Sequence, residues 1–510
     1  MSKQQPQPSA GQQLLAQSSH YSIASVFTLI GGLVLFPVLT RIFSVQDYGI
    51  MSIISATVSV GVALGKTGLQ HAVVRSFAEV VTGKSRFTPA QLYSTGILGM
   101  AATGLLVMVV MLIGSQVVPT RWILREEVRV LLIFVSGLVL IQVLDSSMVN
   151  VLRADQRTVT LMKYTVLKKY LSLGCMFGGL LLISKSLRIF YTASVVAEGA
   201  AVFILAWIVL RVYPDRRPSP ANFSWPLYRE LLSYGLPMTF GYELAGVILI
   251  VGDRYVIKGT FTGVEGETQV GLYSAAYNLC QYVQTIFVSS VGQALLPIYM
   301  KLFHEEGAEK TADFASQSLV NYVLVAAPIV GGVAAVGPDL LVALASEKYA
   351  AAGVVLGWIM AGMVIDGASS IVGAGLVIHR RSTTMMYAVT FSATVNVVAN
   401  LILVPRWGIM GAAVATTIGY TGILLTFGLG ARRWLPVRIK WKPILRAIAA
   451  AAIMYVALSF ILPHRGWLTV AVRAVLGLVI YAGIIAAIDG DGRSFLASVL
   501  RRVRARLIRR

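Results

Sequence analysis

Three basic side chains lie within or beside long apolar stretches of this sequence. Lys66 falls inside one stretch, and Arg41 and Arg254 lie at the ends of two others. An ionisable group in the hydrocarbon layer of a membrane is costly, which makes it a functional candidate. Lys and Arg bind anionic groups, and Arg can hold a phosphate through two parallel hydrogen bonds. We expect these residues to bind an anionic ligand.

The arginines also have a structural interpretation. Arg41 and Arg254 could mark the membrane interface or pair with Asp47 and Asp253 close by in the sequence. Arg473, near the outer end of the last apolar stretch, is predicted to extend its charge to the interface in the same way.

Four carboxylates lie at mid-depth in other apolar stretches, so the charges inside the membrane are not all positive. They are Asp145, Glu198, Glu243 and Asp366. Some could pair with the bases, and others could take up and release H⁺ or Na⁺. Glu243 and Asp366 are the preferred ion-coupling candidates, because each lies well inside its stretch.

Amide side chains recur on two apolar stretches. Asn278 and Gln281 are three residues apart, and Asn396 and Asn400 are four apart, so each pair shares a helix face. We expect Asn278 and Gln281 to hydrogen-bond a polar ligand, although packing between helices explains such residues equally well.

The composition indicates that these residues belong to a membrane protein. Of 510 residues, 56% are hydrophobic and 13% are charged, whereas about a quarter are charged in soluble proteins. A span needs about 20 apolar residues, and the sequence predicts an all-α polytopic protein with fourteen spans. The predicted spans are 20–39, 48–72, 92–118, 129–150, 164–184, 189–210, 229–251, 271–297, 313–337, 351–378, 385–404, 409–430, 444–462 and 467–488.

The distribution of basic residues orients the spans. With the N-terminus inside, the inward segments carry roughly threefold more Lys and Arg than the outward links, which favours two cytoplasmic termini. The net charge of +21 is thus anchoring charge, and no nucleic-acid partner is expected. The basic segment 489–510 is predicted to form either an amphipathic helix on the surface of anionic lipid or a solvated tail.

Enzyme and metal signatures are weak. The stretch GVALGKT at residues 61–67 has three residues between its glycines where a phosphate-binding loop has four. Cys175 and Cys280 both lie in apolar runs and are interpreted as small core residues. We expect no cofactor, no metal and no enzymatic activity.

Two stretches indicate an internal repeat. TRIFSVQDYGIMS at residues 40–52 and DRYVIKG with VGLYS at residues 253–259 and 270–274 place an Arg, a Gly and a Ser at corresponding points. Six spans separate them, which fits two parallel six-helix halves. The predicted segments are 1–19 (cytoplasmic), 20–210 (N-lobe), 229–430 (C-lobe), 444–488 (two added helices) and 489–510 (tail).

These stretches, with PDLLVALASEKYAAA at residues 338–352, resemble the bacterial polysaccharide-transporter proteins. That family contains the O-antigen and exopolysaccharide flippases of the multidrug/oligosaccharidyl-lipid/polysaccharide exporter superfamily. The resemblance implies transport of an undecaprenyl-diphosphate-linked oligosaccharide across the bacterial inner membrane by alternating access. It also implies that Arg41, Lys66 and Arg254 bind the diphosphate and that Asn278 and Gln281 contact the sugar. A polysaccharide polymerase or chain-length machinery is an expected partner besides membrane lipid.

Three alternatives stay open at this point. A multidrug exporter of the same superfamily would suit the acidic residues, and a peptidoglycan-precursor (lipid II) flippase would suit fourteen spans. A membrane polysaccharide polymerase or ligase would need a long outward loop with catalytic groups, and residues 252–270, the longest predicted outward link, offer few.

Overall fold

A computed structural model of the chain describes residues 10–117, 126–212, 218–460 and 466–488, with residues 490 and 493. Within these ranges every regular element is helical, and 13 helices are long and apolar enough to cross a membrane. The predicted all-α polytopic fold is confirmed. The predicted tail 489–510 lies almost wholly outside the described residues.

The first of two compact units contains the described residues up to Phe43 and the segment Ile50–Val247. Its core lies where α4, α5 and α7 pack together, around buried side chains such as Tyr93, Leu152 and Leu205. Its helices are α1 (Ala10–Ile42), most of α2 (Val45–Lys66), α3 (Leu69–Val81), α4 (Pro89–Val117), α5 (Glu126–Ala154), α6 (Thr158–Leu182), α7 (Leu187–Val212), α8 (Trp225–Met238) and a π-helix (Thr239–Leu244).

The second unit contains Ser44–Gly49 and the chain from Ile248 onward. Helix α11 packs between α10 and α14, α13 packs on α14, and α15 packs on α10 and α16. Its helices are most of α9 (Ala245–Thr260), α10 (Gly263–Leu344), a 3₁₀ helix (Glu347–Val355), α11 (Leu356–Val372), α12 (Ala374–Ile378), α13 (Ser382–Trp407), α14 (Ile409–Ala431), α15 (Trp441–Ser459) and α16 (Trp467–Ile488).

Helix α10 carries two of the predicted spans in one element. Gly307 has φ 84° and interrupts the helix, a conformation open to glycine because it lacks a Cβ atom. The predicted spans 271–297 and 313–337 lie on either side of this break.

The predicted span 48–72 lies within the candidate membrane span Val45–Val81, but it is not one continuous helix, because α2 ends at Lys66 and α3 begins at Leu69. Thr67 and Gly68 between them have φ angles of 47° and 65°. A Cβ atom on Gly68 would overlap the backbone of Gly235 in α8, so a glycine is required there both by conformation and by space.

The predicted span 229–251 is also corrected. The helical run continues from Trp225 to Thr260 and contains the π-helix Thr239–Leu244 directly after Pro237. Proline cannot donate a backbone hydrogen bond, and a local π turn is one way in which a membrane helix accommodates it. Asp253 and Arg254, expected at an outer end, instead lie inside α9 with 0% and 6% of their surface exposed.

Arg473 in α16 is buried, in contrast to the predicted interfacial side chain. Its guanidinium pairs with Asp339 of α10 and donates to the carbonyl oxygens of Ala335 and Leu458, each at 3.2 Å. This ion pair fastens α16 to the rest of the second unit. The predicted lobe limits 20–210 and 229–430 stay predictions.

Candidate functional site

Lys66 and Glu243 form an ion pair within the first unit, with 3.3 Å between Nζ and Oε1. Gln70 donates to the other carboxylate oxygen of Glu243, and Nε2 of His71 lies 3.9 Å from that oxygen. Two predicted site residues, which are 177 positions apart in sequence, are therefore brought into one cluster. We call Lys66, Gln70, His71 and Glu243 the Lys66 cluster.

The Lys66 cluster lies where two helical runs are interrupted together. Lys66 is the last residue of α2, and Glu243 lies in the π-helix that follows α8. The backbones meet at Gly68 and Gly235, which lets the side chains on both runs converge. A cation at a helix C-terminus is favoured by the partial negative charge there, and π turns are frequent at functional sites.

The cluster has spare binding capacity for an anion. An ammonium group has three N–H donors, and among the described residues Lys66 contacts only the Glu243 carboxylate. The Lys66 side chain is 22% exposed and that of His71 is 39% exposed, so both can meet a ligand. One turn after His71, the guanidinium of Arg75 lies 4.6 Å from the ring of Tyr234 in α8 and adds positive charge to this surface.

A second polar cluster of the first unit joins α5, α6 and α7. Lys168 lies 3.2 Å from Asp145 and 3.9 Å from Glu198. Tyr164 donates to Asp145, and Gln142 donates to Glu198 at 3.3 Å. The structure thus pairs two of the predicted ion-coupling acids with one base, an arrangement suited to holding three helices together.

Arg41 lies in the last turn of α1 and is exposed, outside both clusters of the first unit. In the second unit Arg254 lies 4.9 Å from the ring of Tyr277 and donates to the Ile250 carbonyl at 2.8 Å. These arginines belong to different units, and their predicted role in ligand binding stays a prediction.

The remaining predicted residues belong to the second unit. Asn278 donates to the Tyr48 hydroxyl at 2.8 Å, which shows a packing contact, whereas Gln281 is exposed. Asp366 in α11 is half-buried, and within the described ranges no hydrogen bond reaches its carboxylate, although the Ser369 hydroxyl donates to its backbone carbonyl oxygen at 2.6 Å.

Sequence reasoning missed two sets of residues. Gln70 was not singled out, and it completes the contacts of Glu243. Asp253 was interpreted as a surface partner of an arginine, but it is fully buried and contacts Asn400 and Thr416. The i, i+4 spacing of Asn396 and Asn400 was the available signal for a polar site here.

Comparison with known sequences gives one family match and two curated relatives. The profile of the family described as "Polysaccharide biosynthesis protein" matches residues 14–303. An uncharacterised membrane protein of Methanocaldococcus jannaschii is 26% identical over 43% of this chain and 43% of its own length. A probable low-salt glycan biosynthesis flippase of Haloferax volcanii is 21% identical over 56% of this chain and 58% of its own length. The chain thus spans about half the length of the curated relatives it matches.

Solved structures share the fold. The lipid II flippase MurJ in an inward closed conformation superposes with a TM-score of 0.73 at 14% identity, covering 92% of this chain and 99% of that one. An inward-facing multidrug resistance transporter of the MATE family has a TM-score of 0.59 at 14% identity, covering 82% and 94%. The similar proteins of known class are flippases and transporters, in agreement with the expectation of a non-enzyme. The profile match covers more than half of the chain, so this multi-pass membrane protein belongs to the polysaccharide biosynthesis protein family.

Proposed function

We propose that this protein is a flippase that moves a polyprenyl-diphosphate-linked oligosaccharide across the membrane. The observation that carries the proposal is the Lys66 cluster, in a chain whose profile match places it among polysaccharide biosynthesis proteins. A sugar head group and a diphosphate cannot cross hydrocarbon unaided, because an unpaired charge there is costly. A basic site at interrupted membrane helices offers the diphosphate a partner during its passage.

The Glu243 carboxylate gives this site a way to release its ligand. Glu243 neutralises Lys66 when no diphosphate is bound. When the diphosphate arrives, its oxygen atoms compete with the Glu243 carboxylate for the same ammonium group. Lys66 therefore exchanges one anionic partner for another and is not left unpaired inside the membrane, where a lone charge would oppose the transport cycle. The exposed Arg75 adds positive charge next to this exchange.

The finer assignments belong to the same proposal. The lipid carrier is undecaprenyl diphosphate, and the product is O-antigen or exopolysaccharide assembled at a bacterial inner membrane with both termini in the cytoplasm. Arg41 and Arg254 serve as further diphosphate contacts, Asn278 and Gln281 contact the sugar, and Asp145, Glu198, Glu243 and Asp366 supply the carboxylates for H⁺ or Na⁺ coupling. The relative named as a probable glycan biosynthesis flippase supports the substrate class.

The test uses purified protein in vesicles that contain a polyprenyl-diphosphate oligosaccharide with a fluorophore on the sugar. A membrane-impermeant quencher reports how much label reaches the outer leaflet. We expect leaflet exchange with the wild type, and slower exchange with Lys66→Gln at equal amounts of folded protein. Lys84→Gln is the control, because Lys84 is exposed in the turn between α3 and α4.

The MATE-like fold makes a multidrug exporter the second candidate. The same vesicles loaded with a fluorescent cationic dye distinguish the two functions. Dye movement without exchange of any polyprenyl-linked sugar would contradict the flippase proposal and favour the exporter. Exchange of lipid II in preference to other glycolipids would narrow the substrate to the peptidoglycan precursor.

A further inference from the structure

The Glu243 carboxylate in the Lys66 cluster lies between two nitrogen bases. Nζ of Lys66 lies 3.3 Å from Oε1, and Nε2 of His71 lies 3.9 Å from Oε2, which is longer than a hydrogen bond. Gln70 also donates to Oε2 and holds the carboxylate in place. One ammonium group balances one carboxylate, so the cluster is neutral overall when His71 is uncharged.

Binding of a diphosphate to Lys66 would disturb this balance. A diphosphate that joins a lipid to a sugar carries a negative charge on each phosphate. Once it takes the Lys66 ammonium group, Glu243 keeps its charge and loses its cation. The Glu243 side chain is only 16% exposed, and a carboxylate left without its partner in such a position is strongly unfavourable. The site therefore needs a further positive charge.

The other helices that pack on α3 bring no competing partner for Glu243 in the described part of the chain. Tyr93 of α4 stacks on Phe77, and the guanidinium of Arg75 lies 4.6 Å from the ring of Tyr234 in α8. Within the described ranges no ion pair joins Arg75 to Glu243. His71 is therefore the base best placed to replace Lys66.

From this geometry we infer that His71 takes up a proton when Lys66 turns to a diphosphate, and that the resulting imidazolium replaces Lys66 as the partner of Glu243. The His71 side chain is 39% exposed, so water can deliver the proton. An imidazolium carries an N–H group on both ring nitrogens, so Nε2 then donates to Oε2. His71 is thus a positioning residue that acts on the ligand through Glu243, and the inference rests on the proposed function.

The surrounding charges couple this proton to the ligand. Among the described residues, the charged groups that act most strongly on His71 are Glu243, Lys66 of α2 and Arg153 of α5. Lys66 and Arg153 repel a positive charge on the imidazole ring. While Lys66 stays at Glu243, His71 therefore stays neutral. Movement of Lys66 toward the ligand removes much of this repulsion, so proton uptake accompanies binding and does not precede it.

The experiment measures binding of the labelled polyprenyl-diphosphate oligosaccharide to the purified full-length protein in lipid nanodiscs, by fluorescence anisotropy. Each phosphate of this probe stays singly ionised from about pH 6 to about pH 8, the range in which histidine titrates. Uptake of a proton on binding makes the affinity fall as the pH rises, so we expect the wild-type Kd to increase about tenfold or more over this range. Calorimetry in buffers of different ionisation enthalpy counts the proton directly.

Two variants of His71 make opposite predictions. His71→Gln cannot ionise, so its Kd should stay close to the wild-type value at high pH over the whole range. His71→Arg keeps a positive charge at every pH, so its Kd should stay close to the wild-type value at low pH. His304→Gln is the matched control, because His304 is exposed in α10 with Nδ1 2.7 Å from the carbonyl oxygen of Met300. It should keep the wild-type pH profile.

Two results would overturn the inference and leave the proposed function standing, because the ligand would still bind. One is a wild-type Kd that is the same at both ends of the pH range. The other is a wild-type pH profile in His71→Gln or His71→Arg, which would mean that Glu243 itself takes the proton. Each variant decides alone if the other fails to fold. Absence of binding at every pH would contradict the proposed function, and the inference with it.

Discussion

The Lys66 cluster and the Asp253 site both hold an ionisable group inside a membrane-spanning helix, but they satisfy it in opposite ways. Lys66 is partly exposed, pairs with a carboxylate of opposite charge and lies where the helical runs are interrupted. Asp253 is fully buried, contacts neutral donors and lies inside continuous α9. The difference fits the proposed exchange of anionic partners at the first cluster, whereas the second holds its carboxylate in hydrogen bonds that join α9 to α13 and α14.

The Arg473–Asp339 ion pair is a third arrangement of charge, in which two opposite charges neutralise each other and join two helices. Removing one partner of such a pair leaves the other charge uncompensated, whereas removing both costs much less. This rule allows each cluster to be tested by comparing single and double variants.

The largest effect on stability is expected at the Arg473–Asp339 pair. Arg473→Met should lower the free energy of unfolding by about 3–5 kcal/mol, because Asp339 then keeps a partly buried charge with no base beside it. Thermal midpoints in detergent measure the loss. Exchange per folded molecule should stay at the wild-type level, and the double variant Arg473→Met/Asp339→Leu should recover much of the stability. A folded single variant that has lost exchange would show that the pair is not merely structural.

A substitution at the interruption between α2 and α3 should have the next largest effect. Gly68→Ala places an alanine in a left-handed conformation, which costs about 1–2 kcal/mol, and its Cβ atom would also overlap the Gly235 backbone. Exchange should fall because Lys66 and Glu243 no longer converge.

Gly83 provides a control for this substitution. It has a similar φ of 71°, and a Cβ atom there would meet no atom within 4 Å. Gly83→Ala should therefore show the conformational cost alone and keep its exchange activity. Equal losses of exchange in the two variants would contradict the role given to the contact between Gly68 and Gly235.

The smallest effects are expected in the cluster that joins α5, α6 and α7. Asp145→Asn should cost about 1 kcal/mol, because the amide oxygen can still accept from Tyr164 but the negative charge that faces Lys168 at 3.2 Å is lost. Glu198→Gln should cost less than about 1 kcal/mol, because its contact with Lys168 is longer, at 3.9 Å. Thermal unfolding compares the two variants. The reverse order would mean that Glu198 is the main partner of Lys168.

Much of the fold follows from the sequence, because apolar runs of sufficient length must become membrane helices. The breaks do not follow from hydropathy, because one candidate membrane span covers Val45–Val81 although the helix stops at Lys66. Gly68 was the available signal, but its meaning depends on Gly235, which lies far away in the sequence. The π-helix after Pro237 was hidden in the same way, since a proline predicts a disturbance and not its form.

The candidate site was predictable as single residues and not as a cluster. Lys66 and Glu243 attract attention because charge inside an apolar run is costly. Their pairing depends on tertiary contacts across 177 positions, which one sequence does not reveal. Asp253 was misplaced for a related reason: its hydropathy suggested a helix end, whereas buried Asn400 and Thr416, more than 140 positions later, make a buried position tolerable.

The most direct test of the account asks whether Lys66 serves a ligand or only Glu243. Leaflet exchange of the labelled glycolipid is measured for Lys66→Met, Glu243→Gln and the double variant, each corrected for folded protein. If Lys66 binds the diphosphate, the double variant should regain stability relative to Lys66→Met, while its exchange stays at least about tenfold below wild type, the loss expected for a charge-assisted contact. Exchange restored to the wild-type rate in the double variant would show that the pair is structural, and would contradict the proposed role of Lys66.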